Sequence, residues 1–190
     1  MKNKFLALLS EVKRPGMENL FTWLTDKSDF FTAPASTKYH GAKEGGLVEH
    51  SLEVYKNLDR IIKSSIFDMQ AVISKDSAIV VALLHDICKA NFYTVQMRNA
   101  KNEQTGQWEK VPFYAIEDQF PYGHGEKSVL IVREFIQLSV EEMMAIRWHM
   151  GAFGSESYAE RQALSAAMDK YPLILALQMA DLAACYFDKK

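Results

Sequence analysis

The chain has 190 residues, of which 48% are hydrophobic, 12% aromatic and 24% charged, and this is the composition of an ordinary globular domain. With 22 basic and 24 acidic side chains its formal charge is −2, so it lacks the basic surplus of proteins that bind duplex nucleic acid through phosphates. We expect no secretory signal, and no apolar run is near the roughly 20 residues of a membrane-spanning helix, so we predict one cytoplasmic domain over residues 1–190.

The first 46 residues are predicted to form two short helices and a loop. Apolar side chains recur at spacings of three and four in the segments 3–12 and 17–25, which is the period of an amphipathic helix. From residue 26 to residue 46 the composition changes to Ser, Pro, Gly and Lys, which is typical of a loop. We therefore expect residues 1–46 to precede a helical core that spans residues 47–187.

Two further helices follow, and each is expected to bring polar side chains into the core. On the first, from Leu47 to Ser64, His50 shares the apolar face and so is predicted to point inward. The second is predicted to begin with Asp76 as its N-cap. Its residues 78–84 are apolar on every side, which predicts a fully buried helix, and it ends in an adjacent histidine and aspartate.

The segment from about residue 92 to residue 122 is predicted to be a β-hairpin inserted between helices. Its β-branched and aromatic residues flank a polar tip at residues 102–106, and this is the pattern of two strands joined by a turn. Helical patterns resume after it, at residues 126–137, from the capping-box residues Ser139 and Glu142 to near His149, at residues 158–170, and from Pro172 to about residue 187. We therefore predict an all-α bundle with a small hairpin insertion.

Four histidines and two aspartates are predicted to lie at helix ends or on inward faces. They are His50, His85, Asp86, His124, His149 and Asp181. Buried imidazoles and carboxylates are costly unless they are paired or bind a metal ion, and a shared cation removes that difficulty. Nitrogen and oxygen donors without a thiolate are typical of hydrolytic Fe, Mn, Co, Ni or Zn sites. Two ions bridged by one carboxylate would need about six such ligands.

The order of these six residues along the chain resembles the HD superfamily of metal-dependent phosphohydrolases. The resemblance extends over about residues 40–187, and the adjacent pair His85 and Asp86 at the end of an apolar helix is its most specific part. It implies an HD-domain helical bundle that binds one or two divalent ions, among Fe, Mn, Ni, Co, Zn and Mg. By this resemblance the first ion is bound by His50, His85, Asp86 and Asp181, and Asp86 bridges it to a second ion that His124 and His149 also bind.

The resemblance also implies a reaction and a substrate class. In HD phosphohydrolases a metal-bound hydroxide attacks phosphorus, since a metal ion lowers the pKa of its water from 15.7 to about 7. The expected catalytic residues are Asp86, as the bridging ligand, and Lys89, three residues later, whose ammonium would neutralise a phosphate oxygen. The expected substrate is a small phosphomonoester or phosphodiester of the nucleotide type.

Two other functions remain open. Residues 40–50 are also similar to the segment before the first metal-binding histidine of bacterial 3′-to-5′ exoribonucleases, but Gly41 stands where those enzymes often have a second histidine. Those enzymes also carry an OB domain for nucleic acid, which the mostly helical residues 1–46 do not provide. The other alternative is a catalytically idle HD module that binds a nucleotide as a sensor or scaffold.

Substrate contacts are expected from residues outside the ligand set. They are His40 in the loop, Tyr93 and Tyr122 at the two ends of the hairpin segment, and Gln178 one turn before Asp181. Aromatic faces beside a phosphate-cleaving centre can stack a base, which contributes about 1–3 kcal/mol per base. The hairpin is therefore the expected specificity element, although its aromatic residues also allow a core or homodimer contact.

Overall fold

The computed structural model describes residues 1–38, 41–64, 69, 72–154 and 157–187. Within these residues the chain forms eight α-helices and a single antiparallel sheet of two strands. The predicted fold class, a helical bundle with one inserted hairpin, is therefore confirmed. Among the same residues, no helix combines the length and the apolar composition that crossing a membrane requires.

The elements of the fold alternate little, because the two strands are adjacent and all the other elements are helical. In chain order they are α1 (Lys2–Leu9), α2 (Met17–Thr22), α3 (Gly46–Lys63), α4 (Lys75–Leu84), β1 (Tyr93–Lys101), β2 (Trp108–Ile116), α5 (His124–Arg133), α6 (Val140–Trp148), α7 (Tyr158–Lys170) and α8 (Pro172–Tyr186). A π-helical turn, Trp23–Lys27, continues α2. Two 3₁₀ turns, Ile87–Lys89 and Gly151–Gly154, come shortly after α4 and α6.

Helix α4 lies at the centre of the bundle. Every residue from Ala78 to Leu84 is buried, as the uniformly apolar segment predicts. α3 packs against α4 and α8, and α6 packs against α4, α5 and α8, so α4 is enclosed by its neighbours. The buried core also includes Phe5 and Leu9 of α1, and burying an apolar side chain of this size contributes about 1.5–3 kcal/mol. The C-terminal end of α4 is therefore held in place by closely packed apolar side chains.

Side-chain caps start α4, α6 and α7, and the cap of α4 differs from the prediction. α4 begins after Ser74, whose Oγ accepts a hydrogen bond from Ser77 N at 3.0 Å, so the predicted N-cap Asp76 is wrong. Asp76 instead lies in the first turn of α4, where its carboxylate interacts favourably with the positive end of the helix dipole. The capping box of Ser139 and Glu142 at the start of α6 is confirmed.

The hairpin is shorter than the predicted segment of residues 92–122. β1 and β2 pair in antiparallel register along their full length, with Tyr93 opposite Ile116. Residues 117–123 form a separate loop that leads into α5. α5 begins at His124, two residues before the predicted start, so His124 is the first helical residue rather than part of a loop.

Candidate metal centre

Five helices bring the six predicted ligands together near the C-terminal end of α4. The ligands are His50 on α3, His85 and Asp86 at and after the C-cap of α4, His124 on α5, His149 at the C-cap of α6, and Asp181 on α8. All of these residues are buried except His124, which is half-buried. Side chains far apart in sequence therefore form one polar cluster inside an apolar core.

Asp86 lies at the centre of this cluster. Its Oδ1 is 2.7 Å from His124 Nε2 and 3.4 Å from His149 Nε2. Its Oδ2 is 3.5 Å from His85 Nε2 and 3.6 Å from His50 Nε2. One carboxylate thus faces four imidazoles, two on each oxygen, and this arrangement could bridge two cations.

A second carboxylate closes the other side of the cluster. His50 Nε2 is 3.1 Å from Asp181 Oδ1 and 3.3 Å from His85 Nε2. Three sets of donor atoms, each within 4.8 Å of one another, could hold a cation: His50 with His85 and Asp181, His85 with Asp86 and His149, and Asp86 with Cys88 and His124. The sets overlap in His85 and Asp86, so neighbouring cations would share the pair that is adjacent in sequence.

His85 and His149 are oriented by the same local contact. Each is a helix C-cap whose Nδ1 lies against the carbonyl three residues earlier, at 3.0 Å from Ala82 O and 2.7 Å from Ile146 O respectively. Because a carbonyl oxygen only accepts, Nδ1 carries the proton and Nε2 is directed into the cluster. The negative ends of the α4 and α6 dipoles also favour a cation there.

The ring nitrogens that face the carboxylate of Asp86 need a proton or a metal cation between them and that carboxylate. Burial has the largest influence on His85 and lowers its pKa to about 3, so its ring is neutral at neutral pH. His149 Nε2 is buried and has no hydrogen-bond partner among the described residues, although Asp86 Oδ1 is 3.4 Å away. A lone pair that faces a carboxylate is unfavourable unless a proton or a cation lies between them. The residues present therefore fit divalent ions.

The charges of the two carboxylates and of Lys89 also suit a cation site. Burial alone would raise the pKa of Asp86, but the ammonium of Lys89 and the neighbouring imidazoles hold it well below its usual range. Burial would likewise raise the pKa of Asp181, but the hydrogen bond with the His50 imidazole acts against burial, and the pKa of Asp181 is lowered. Lys89 Nζ is 2.6 Å from Asp86 Oδ2, and this contact outweighs burial and raises the pKa of Lys89. Both carboxylates and the ammonium are therefore charged at neutral pH.

Gly125 lets α5 approach α6 closely enough to bring His124 beside His149. A Cβ at Gly125 would lie 2.3 Å from Arg147 O, a backbone atom that cannot turn away. With the helices this close, the rings of His124 and His149 are 5.1 Å apart. An ion pair of 2.5 Å between Arg147 Nε and Glu126 Oε1 joins the same two helices. Gly125 therefore allows the close helix packing that places His124 beside His149.

Cys88 is a neighbour of the cluster that is not among the predicted site residues. Its Sγ is 3.2 Å from His124 Nδ1, while His124 Nε2 faces Asp86. Burial raises the pKa of the Cys88 thiol to about 12, so the sulfur keeps its proton at neutral pH. The contact with Cys88 orients His124, just as backbone carbonyls orient His85 and His149. The three-residue spacing from His85 to Cys88 is the signal that could have indicated it.

Two of the predicted substrate residues precede or begin the hairpin. His40 lies outside the residues that the structure describes. Tyr93 is the first residue of β1 and is half-buried, with its hydroxyl 3.5 Å from Ala35 O. Burial raises the pKa of Tyr93 to about 12, and the charge of Lys89 acts against it. Tyr93 thus lies close enough to Lys89 for their charges to interact.

The other two predicted substrate residues lie after the hairpin and on α8. Tyr122 is 55% exposed, and its ring stacks on Phe120 in the loop before α5. Gln178 Nε2 donates a hydrogen bond to Trp148 O at 2.8 Å. Gln178 therefore braces the backbone at the end of α6, next to His149.

Comparison with protein families matches the part of the chain that carries this cluster. The HD domain matches residues 47–181, which is more than half of the chain. The matched range begins three residues before His50, ends at Asp181, and includes Lys89 and the hairpin. Comparison with curated proteins gives no match, and comparison with solved structures gives none either.

Proposed function

Because the chain belongs to the HD-domain family, we propose that it is a phosphohydrolase that cleaves a phosphomonoester or phosphodiester of a nucleotide-like substrate. HD domains are typically metal-dependent phosphohydrolases. The observation that carries the proposal is the convergence of four imidazoles and two carboxylates beside the ammonium of Lys89. Such a cluster offers a place for divalent ions and a fixed positive charge for a phosphate oxygen.

One or two divalent ions would be held by the six candidate ligands. The first would be held by His50, His85, Asp86 and Asp181, and the second by Asp86, His124 and His149. Mixed nitrogen and oxygen donors suit Mn, Fe, Co, Ni or Zn, and the carboxylates are also compatible with Mg. When bound, such ions lower the pKa of a coordinated water and neutralise charge that develops on the phosphate oxygens.

The chain's own residues prepare this centre before any substrate arrives. The carbonyl contacts of His85 and His149 fix which ring nitrogen is free to bind. Lys89 keeps its proton, so its ammonium can bind a phosphate oxygen and stabilise the negative charge of the transition state. With a formal charge of −2, the chain suits a small phosphate ester whose charge is balanced locally rather than by a broad basic surface.

Replacing Lys89 by methionine is expected to lower kcat/KM for a phosphate ester by about 100- to 1,000-fold, the effect of removing one group that stabilises transition-state charge. Methionine keeps much of the side-chain length, so metal content, measured by elemental analysis, should equal that of the wild type. The matched control is Lys63→Met, which removes only a surface ion pair with Asp59 and should leave turnover unchanged. Wild-type turnover in K89M would exclude a catalytic role for Lys89.

A turnover screen tests the function itself. The protein is loaded with Mn²⁺ and incubated with mononucleotides, dinucleotides, cyclic nucleotides and oligonucleotides, and the products are separated by chromatography. Hydrolysis of at least one class, lost when a chelator removes the metal, supports the proposal. If the metal-loaded protein hydrolyses none of them but melts at a higher temperature with one nucleotide, it is an idle nucleotide-binding module. Release of mononucleotides from oligonucleotides alone would instead identify an exoribonuclease.

A further inference from the structure

The loop that leads into His124 carries two exposed aromatic rings in a fixed arrangement. Phe120 and Tyr122 are 45% and 55% exposed, and their rings are parallel within 10° with centroids 5.7 Å apart. Neither residue belongs to the buried core or to the side chains packed against it. Their stacking therefore places an apolar surface in solvent that the fold does not use for burial.

An ion pair between buried Lys127 and half-buried Asp118 anchors this loop. Lys127 is 4% exposed, and its Nζ is 2.6 Å from both carboxylate oxygens of Asp118. The same ammonium lies 5.0 Å from the centre of the Phe92 ring and 5.8 Å from that of Phe120. Phe120 N also donates a hydrogen bond to Asp118 Oδ1 at 3.0 Å. Asp118 thus joins the loop to α5 and holds the backbone of Phe120, so the Phe120 ring on which Tyr122 stacks is preorganised.

The anchor and the candidate metal ligand share one helical turn. Lys127 follows His124 by three residues in α5, and Tyr122 precedes His124 by two. Two residues span at most about 7 Å, so the Cα of Tyr122 lies within that distance of the Cα of His124, a candidate metal ligand. A ligand whose phosphate is bound at the candidate metal centre would extend its remaining atoms within reach of Tyr122.

We infer that Phe120 and Tyr122, the aromatic platform, form the subsite for the planar base of a nucleotide whose phosphate binds at the candidate metal centre. The inference rests on the proposed function and specifies the substrate class of that site. A base added to the outer face of Tyr122 extends the existing two-ring stack, and every base has a π-face for this purpose. Because the loop is already ordered, binding loses little conformational entropy there. The platform selects a planar heterocycle rather than one particular base.

Equilibrium binding of two uncleavable probes tests the platform. They are the phosphonates of adenosine 5′-monophosphate and of ribose 5-phosphate, in which a methylene replaces the ester oxygen. Each is titrated by calorimetry into the Mn²⁺-loaded protein. Tyr122→Ala is expected to weaken binding of the adenosine probe by about 10-fold and to leave the ribose probe within about twofold, as expected for loss of one base-stacking ring. Tyr122→Phe keeps the ring and should retain both affinities.

Trp108→Ala is the matched control, because Trp108 is also an exposed aromatic residue, at 71%, but lies at the opposite end of the hairpin. It should change neither affinity. The platform is overturned if Tyr122→Ala weakens both probes equally or neither, or if the wild type does not prefer the adenosine probe. These readouts do not depend on turnover. A protein that binds both probes as expected but hydrolyses no ester contradicts the proposed function and leaves the platform supported.

Discussion

Replacing Asp86 by asparagine is expected to remove the bound metal and to lower kcat/KM for a phosphate ester by at least about 1,000-fold. Asparagine has nearly the same shape, but it presents a neutral oxygen and an N–H donor to the four imidazoles that lie within 3.6 Å of Asp86. It can neither balance the charge of a divalent ion nor bridge two ions. Metal content after dialysis is measured by elemental analysis, and turnover is measured on the same samples.

Asp59→Asn is the matched control for this variant. Asp59 forms a surface ion pair with Lys63 at 2.7 Å, and removing such a pair changes stability by at most about 1 kcal/mol. D59N should therefore keep the metal content and turnover of the wild type. A D86N protein that retains its full metal content would show that Asp86 is not the ligand that holds the centre together.

Replacing Glu142 by alanine is expected to lower the free energy of unfolding by about 3 kcal/mol, the scale on which a buried ion pair loses one partner. The side chain of Glu142 is 1% exposed and accepts hydrogen bonds from the Arg14 guanidinium at 2.6 and 2.8 Å. It also accepts one from Ser139 N at 2.8 Å, which completes the capping box of α6. Urea unfolding followed by circular dichroism measures the change.

Glu160 provides a matched control, because it completes the same kind of capping box with Ser157 at the start of α7 but is 39% exposed. Glu160→Ala is expected to lower the free energy of unfolding by only about 1 kcal/mol. Glu160 also lies 4.0 Å from Arg147, so the difference between the two variants reports how much more the contacts of buried Glu142 with Arg14 contribute than the exposed contacts of Glu160. Equal destabilisation by E142A and E160A would contradict a stabilising role for the ion pair.

The ion pair between Arg14 and Glu142 makes the free energy of unfolding depend on pH. Burial alone would raise the pKa of Glu142, but the hydrogen bonds from Arg14 and Ser139 outweigh it and hold the pKa below its ordinary value of 4.5. Because the pKa is lower in the folded state, the pair stabilises the fold above that pH and loses its contribution as the pH falls further. Glu142→Gln keeps the capping geometry, so its stability should fall less than that of the wild type over this acidic range.

Sequence patterns predict the parts of the fold whose partners are close along the chain. The apolar spacing places His50 on the buried face of α3, the capping box starts α6 after Ser139, and Pro172 opens α8. A single local competition changes the start of α4, where the hydroxyl of Ser74 caps the helix instead of the carboxylate of Asp76. Apolar periodicity, capping hydrogen bonds and the fixed φ of proline decide these positions, and all three can be read from neighbouring residues.

Contacts between distant segments are the part that the sequence does not reveal. Arg14 contacts Glu142 across 128 positions, and the capping-box pattern that predicts the local role of this glutamate does not indicate its distant partner. Cys88 lies beside His124 only because α5 docks next to the 3₁₀ turn after α4. Asn91, with a φ of 54°, and Asp29 lie 62 positions apart, and the backbone N–H of each donates a hydrogen bond to the side-chain Oδ1 of the other. The candidate ligands, also far apart, could be predicted because their order along the chain matches a known pattern.

Anomalous diffraction from a crystal of the Mn²⁺-loaded protein tests the central claim, which is that the buried histidine and aspartate cluster is a metal centre. We expect one or two anomalous peaks in contact with Asp86, the first also in contact with His85 and Asp181, and any second one with His124 and His149. Anomalous peaks only at surface carboxylates, or an empty cluster in protein saturated with Mn²⁺, would contradict the claim.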